Sequence, residues 1–215
     1  MIRVAIFGAN GKTGRHIVEQ ALSKGYEVVA FVYDAELDFD HDNLSQIVGD
    51  VTKIDDVRRA IKSSDAVVSA LGHSPKTIRR NPTMHQDGIA NIVDAMSECG
   101  VKRIVSLTGS GVRHEEDRPG FTDRLLNMGL SVVAQKMIDD GRAHADIIKK
   151  SQLEWTIVRA LKLANGPKTG SYTVSEYVRP RMKAMVKRGD VADFMISNLE
   201  TDKYLSSMPV VYGER

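Results

Sequence analysis

The chain has 215 residues, of which 42% are hydrophobic and 27% charged, with a formal net charge of +2. This composition suits a soluble globular core, and so small a charge with no basic stripe excludes a nucleic-acid surface. No apolar run approaches the roughly 20 residues of a membrane span, and the lone cysteine, Cys99, has no internal disulfide partner, which predicts a reducing, cytoplasmic setting.

Ile2–Phe7 is a β-branched, apolar run of strand length, broken by Gly, Asn and Lys too soon to be a signal peptide. Gly8-Ala9-Asn10-Gly11-Lys12-Thr13-Gly14 follows, and a helix is predicted from about Thr13 to Lys24, with Ile17, Val18, Ala21 and Leu22 on its apolar face and Gly25 at its end. Strand, glycine turn, helix is the context a dinucleotide fingerprint requires. Gly8 permits the tight turn, Gly11 lets backbone N–H groups approach a pyrophosphate without a Cβ in the way, and Gly14 lets the helix pack on the strand. The helix N-terminus adds orphan N–H groups and a positive dipole end. The bland alternative is a glycine turn serving only a tight strand-to-helix connection.

Tyr26–Val32 is predicted as a second strand, followed by a solvated acidic loop over residues 33–45. A short third strand is expected over Gln46–Val51, then a helix over Ile54–Ile61 with Thr52 or Asp55 as its cap. Ala66–Gly72 reads as a fourth strand with a glycine exit, residues 73–82 as a basic loop, and Thr83–Cys99 as a helix closed by Gly100. Arg103–Leu107 is a fifth strand and residues 112–122 a charged loop. A helical stretch broken near Gly129 and Gly141 ends by Ser151, and Trp155–Arg159 is a sixth strand. Short strands are expected at Tyr172–Val174 and Met182–Val186, a last helix capped by Asp190 and reaching Leu199, and an edge strand at Val210-Val211.

Alternating strands and helices predict an α/β fold: a doubly wound, mostly parallel sheet with right-handed crossovers. Residues 1–215 read as a single domain, with those after about 160 adding a small lobe over the strand C-termini. Six histidines show no zinc-like spacing with acids or Cys99, and no G-x-S-x-G elbow occurs.

The chain resembles the atypical short-chain dehydrogenases/reductases with an NAD(P)H-binding domain, close to flavin reductase/biliverdin-IXβ reductase. The segments that carry the likeness are Phe7–Gly14, Gly25–Val28, Gly49-Asp50-Val51, Asp65–Val68 with Leu71-Gly72, and Gly166–Val174. The resemblance implies a Rossmann fold, with Gly8, Asn10, Gly11, Lys12, Thr13 and Gly14 on the pyrophosphate. It puts Asp50 and Val51 beside the adenine, and Ala70, Leu71 and Gly72 beside the nicotinamide-side ribose. Thr108 would face the nicotinamide, with Leu161 and Lys162 near the substrate. Bland readings stand alongside: Asp50 as a helix-capping neighbour, Gly72 as a turn, Lys12 as a solvated charge.

Two departures matter. Reductases of this superfamily usually carry Tyr and Lys four residues apart on one helix, the Lys lowering the Tyr pKa for proton exchange. None of the six tyrosines here has Lys four residues on, and the matching helix holds Ile138 and Arg142. The family's Ser after the fifth strand aligns with Gly109, so any hydroxyl duty passes to Thr108 or Ser110 as candidate catalytic groups. At the end of the second strand, Tyr33 could stack on adenine, and Asp34, 20 residues past Gly14, stands where a ribose-binding acid falls. Lys12 and Arg15 could instead take a 2′-phosphate, which tips the expectation slightly to NADP(H) over NAD(H). The expected activity is NAD(P)H-dependent hydride transfer to a planar acceptor such as a flavin or quinone, where positioning substitutes for a dedicated acid. The alternative is a non-catalytic NAD(P)-binding sensor or regulatory protein. No metal, nucleic-acid or membrane partner is expected.

Overall fold

In the computed structural model the described residues are 1–72, 81–109, 112–118, 132–180, 182 and 185–214, with residues 132–134 described in backbone only. The first crossover is β1 (Arg3–Phe7), α1 (Gly14–Ser23) and β2 (Glu27–Val32). Then come β3 (Leu44–Val48), α2 (Ile54–Ile61), β4 (Ala66–Ser69), α3 (Met84–Cys99) and β5 (Arg103–Gly109). The rest is α4 (Val132–Lys150), β6 (Glu154–Ala160), β7 (Lys162–Ala164), β8 (Tyr172–Ser175), β9 (Met185–Lys187), α5 (Arg188–Ser197), a 3-10 turn (Asn198–Glu200) and β10 (Val210–Gly213).

Eight strands form one sheet in the order β3-β2-β1-β4-β5-β6-β10-β8, and β7 pairs with β9 in a separate ribbon. Every neighbouring pair in the large sheet is parallel except β10 with β8. The order reverses between β1 and β4. That reversal is the switch point where such sheets open a ligand crevice outside their C-terminal ends.

The near-continuous apolar strands follow from burial on both faces. Val4, Ile6, Val28, Ala30 and Val32 point into one core with Ile17, Val18 and Ala21 of α1 and Val191 and Met195 of α5. Ala5, Phe7, Val29 and Phe31 point into the other with Val57 of α2, Ile89 and Ile92 of α3 and Ile148 of α4. Side chains such as Ile6 and Phe7, fully buried, each contribute about 1.5–3 kcal/mol.

Several expected boundaries move. The third strand overlaps the expected Gln46–Val51 but is shifted upstream to Leu44–Val48, because its register with β2 runs from Val28↔Leu44 to Val32↔Val48. Beyond Val48 the chain turns, the Asp50 N–H donating to Asp56 Oδ2 at 2.9 Å. Neither Thr52 nor Asp55 caps α2; the N-cap position is Lys53, without a side-chain bond. The acidic loop is anchored by Leu37, buried in the first core, whose N–H donates to Gln46 Oε1 at 2.6 Å. The helix α4 runs unbroken through Gly141, whose missing Cβ serves a close approach to the sheet; the break expected near Gly129 lies outside the described residues. The strand expected over Met182–Val186 is shorter, Met185–Lys187. Asp190 sits inside the first turn of α5 and does not cap it; its carboxylate accepts from Thr169 N and Oγ1 and from Gly170 N. β10 is an inner strand between β6 and β8, and β8 takes the edge expected for Val210-Val211.

Candidate dinucleotide site

The glycine turn lies at the switch point because β1 and β4 pair in register up to Phe7↔Ser69, and the Ala70 N–H donates to Phe7 O at 2.9 Å. Gly8 has φ +75°, and a Cβ there would stand 2.7 Å from Ala70 O. A Cβ on Gly14 would stand 2.0 Å from Gly8 O, so α1 starts in backbone contact with the strand exit. Both positions require glycine.

Gly11 closes the turn with its own N–H. That group donates to Gly8 O at 2.9 Å, so it is not the one offered to an anion. The N–H groups of Lys12, Thr13 and Gly14 have no acceptor among the described residues. The first turn of α1 carries no acid, and Thr13 makes no side-chain cap. Unsatisfied donors at an uncompensated helix N-terminus fit a phosphate group.

Asn10 is a brace. Its Oδ1 accepts from Arg15 Nε at 3.0 Å and Nη2 at 2.7 Å, and its Nδ2 donates to Ala35 O at 3.2 Å. Arg15 Nη1 donates to Asp38 Oδ1 at 2.5 Å. These bonds tie the loop after β2 to the glycine turn. The Arg15 guanidinium holds the Asp38 carboxyl below the usual carboxylate range.

The remaining expected residues fall on the same edge of the sheet. Tyr33, 70% exposed, and exposed Asp34 follow β2. Asp50 and Val51 lie beyond β3. Asp50 Oδ1 accepts from Thr52 N at 2.9 Å and Thr52 Oγ1 at 2.8 Å, a turn ahead of α2 that does not cap the helix. The Val51 side chain is buried against Gly88 of α3 and its carbonyl accepts from Asn91 Nδ2, so only its backbone is left for a ligand. Half-buried Ala70 and Leu71 and exposed Gly72 follow β4, and Leu161 and Lys162 follow β6. Thr108, next to last in β5, is 4% exposed, and its Oγ1 is buried with no hydrogen-bond partner among the described residues. That oxygen would be 3.5 Å from a Gly141 Cβ, so it faces α4. Ser110 lies outside the described residues.

Two clusters escaped the sequence reading. On the α3/α4 side, Ser106 Oγ is 2.9 Å from His144 Nε2, the His85 and His144 ring centroids are 4.2 Å apart, and His85 Nδ1 is 3.4 Å from Asp140 Oδ2. Burial, reinforced by His85, pushes the His144 pKa well below its ordinary value, so the ring is neutral near pH 7. The one sequence signal was Asp140 and His144, four residues apart on one helix face. Among the described residues no group of three or more His, Cys, Asp or Glu is arranged to hold a metal.

The second cluster centres on Arg159 of β6, 1% exposed. It donates to Asp117 Oδ2 at 2.6 Å, Met208 O at 2.7 Å and Glu176 O at 2.9 Å. Asp117 also accepts from His114 N and Val178 N, both at 2.8 Å. Burial raises the Asp117 pKa, but Arg159 and these two N–H groups more than offset it and leave the carboxyl lowered. An arginine closing an apolar strand was the available sign.

Residues 8–202 match the family described as NAD(P)H-binding. The chain is 33% identical over 221 residues to an uncharacterized chloroplastic protein of Arabidopsis thaliana, covering 97% of this chain and 75% of that one. It superposes with a TM-score of 0.80 on a Veillonella parvula short-chain dehydrogenase/reductase in complex with NADP, at 17% identity and covering 99% and 94% of the two chains. A candidate NADH-flavin reductase of Streptococcus pneumoniae superposes at 0.77, with 23% identity and full coverage of both chains. At these identities the solved structures share the fold. With its glycine turn, switch point and matched span, the chain belongs to the NAD(P)H-binding family and has a Rossmann fold.

Proposed function

We propose that the protein is an NAD(P)H-dependent reductase that passes hydride to a planar acceptor such as a flavin or quinone. The observation carrying this reading is the surround of the β5 terminus. The adjacent helix α4 contains no tyrosine, and the family resemblance aligns its Ile138 and Arg142 with the Tyr and Lys of dyad-bearing reductases. A ketone needs a proton delivered as hydride arrives; a flavin or quinone can take it from solvent afterwards. The likeness to the streptococcal candidate flavin reductase supports the same acceptor class.

A bound dinucleotide supplies the hydride. This chain's part is alignment, which can lower a barrier by up to roughly 7–11 kcal/mol in ideal cases. The N–H groups of Lys12, Thr13 and Gly14 would hold the pyrophosphate at the turn formed by Gly8 and Gly11, which Asn10 braces. Tyr33, Asp50 and the Val51 backbone would contact the adenine. Ala70, Leu71 and Gly72 would contact the second ribose, and Thr108 the nicotinamide. Leu161 and Lys162 would border the acceptor. Lys12 and Arg15 give a modest preference for NADP(H). The partner is a small molecule rather than nucleic acid or membrane, and the single exposed Cys99 suits the cytoplasm.

One observation favours a sensor instead: the Thr108 hydroxyl is buried against α4. Titration of NADPH and NADH, followed by NAD(P)H oxidation with flavin and quinone acceptors, separates the readings. Turnover supports the reductase, binding without turnover supports the sensor, and no binding removes both.

A further inference from the structure

We propose that Asp38 sets cofactor choice by acting as the internal counterion of Arg15, which a 2′-phosphate must displace. This rests on the dinucleotide reading above. The adenosine ribose of such a ligand lies between the glycine turn and the end of β2. Arg15, in the first turn of α1, spans that gap: Asn10 grips its Nε and Nη2, and Asp38 takes its Nη1 at 2.5 Å. The guanidinium is therefore fixed in direction, and its outward end already holds an anion.

Asp38 is not a loose surface acid that happens to lie nearby. Leu37 on one side is buried in the core, and Phe39 on the other packs against the same cluster. The Ala35 carbonyl is tied to Asn10. The backbone around Asp38 is thus held from three points while its side chain stays 75% exposed. It can swing away when a stronger anion arrives. A phosphate dianion competes for the same donors and adds charge beside Asp34, Glu36 and Asp38, so the loop limits the NADPH preference that Lys12 and Arg15 give while leaving the NADH hydroxyls unopposed.

The test is fluorescence titration of NADPH and NADH at low salt with wild type, Asp38→Asn, Asp38→Ser, Arg15→Ala and the double variant Arg15→Ala/Asp38→Asn. An exposed pair of this kind sets the scale, so Asp38→Asn tightens NADPH by about fivefold and leaves NADH within about twofold. Asp38→Ser does the same, and the gain disappears on the Arg15→Ala background. Weakened NADPH, an equal change for NADH, or a gain that survives without Arg15 overturns the counterion role while the cofactor site stands. Failure of wild type to bind either dinucleotide overturns both.

Discussion

Thr108 of β5 and Gly141 of α4 face each other: a Cβ on Gly141 would stand 3.5 Å from the Thr108 hydroxyl oxygen and 3.3 Å from Val112 Cγ2. The hydroxyl is buried there without a partner among the described residues. Removing an unsatisfied buried hydroxyl while keeping its shape is close to neutral or stabilising. Thr108→Val is therefore expected to hold or raise Tm, and to lower kcat for a flavin or quinone by less than about tenfold, below the 10²–10⁴-fold typical of a general acid. Loss of turnover with dinucleotide binding intact would identify Thr108 as a dedicated proton donor.

Gly14 and Gly11 should separate folding from binding. A Cβ on Gly14 meets Gly8 O at 2.0 Å, far inside contact distance, whereas one on Gly11 meets it at 3.0 Å. Gly14→Ala is expected to cost about 1–3 kcal/mol or more by forcing α1 off the strand, seen in urea melts. Gly11→Val should cost less stability than Gly14→Ala, because its Cβ meets the same oxygen a full ångström farther out, and still lose NADPH affinity in titrations. Tight NADPH binding by folded Gly11→Val would place the cofactor elsewhere.

Lys12 is exposed on the same turn and can reach a phosphate without disturbing the core. Lys12→Ala should weaken NADPH and leave NADH nearly unchanged, and the wild-type margin between the two should shrink as salt rises toward 1 M, where the Debye length falls to about 3 Å. An equal loss for both dinucleotides would point to the shared pyrophosphate instead.

His144 gives a pH dependence of stability. Its pKa is lowered by burial first and by His85 second, and Asp140 acts in the opposite direction. The unfolded ring titrates near 6.5, so below about that pH the unfolded chain binds a proton the folded chain refuses. Stability is full above pH ~6.5 and declines as pH falls toward the lowered folded value. Thermal melts at pH 7.5 and 5.5 should show this loss, and His144→Gln should reduce it. An unchanged slope in that variant would assign the acid sensitivity to other groups.

The glycine turn, the first crossover and the closure of α3 by Gly100 were legible because each is local: a strand-length apolar run, spaced glycines, a 3.6-residue stripe. What escaped depends on residues far apart in the chain. The partner of Arg159 lies 42 residues away and that of His144 lies 38 away, so neither pairing leaves a pattern in any window. The third strand was misplaced because its limits follow the register with β2, and Ile47-Val48 and Val51 look alike in sequence although only the first two lie in the strand. Gly141 read as a break because close packing and helix termination both call for glycine.

The Arg159–Asp117 pair has a consequence for how this scaffold can diversify. One buried charge pair fastens the segment after β5, the segment after β8 and the chain entering β10. Replacing the segment after β5 without Asp117 strands the Arg159 charge in the interior, and altering the backbone path of either other segment removes a hydrogen-bond partner from the pair. That end of the sheet is inherited as a set, while Asp38, exposed on the loop after β2, can change alone without disturbing the buried Leu37 anchor. Cofactor preference should therefore drift readily within such a lineage, and acceptor preference should change in jumps.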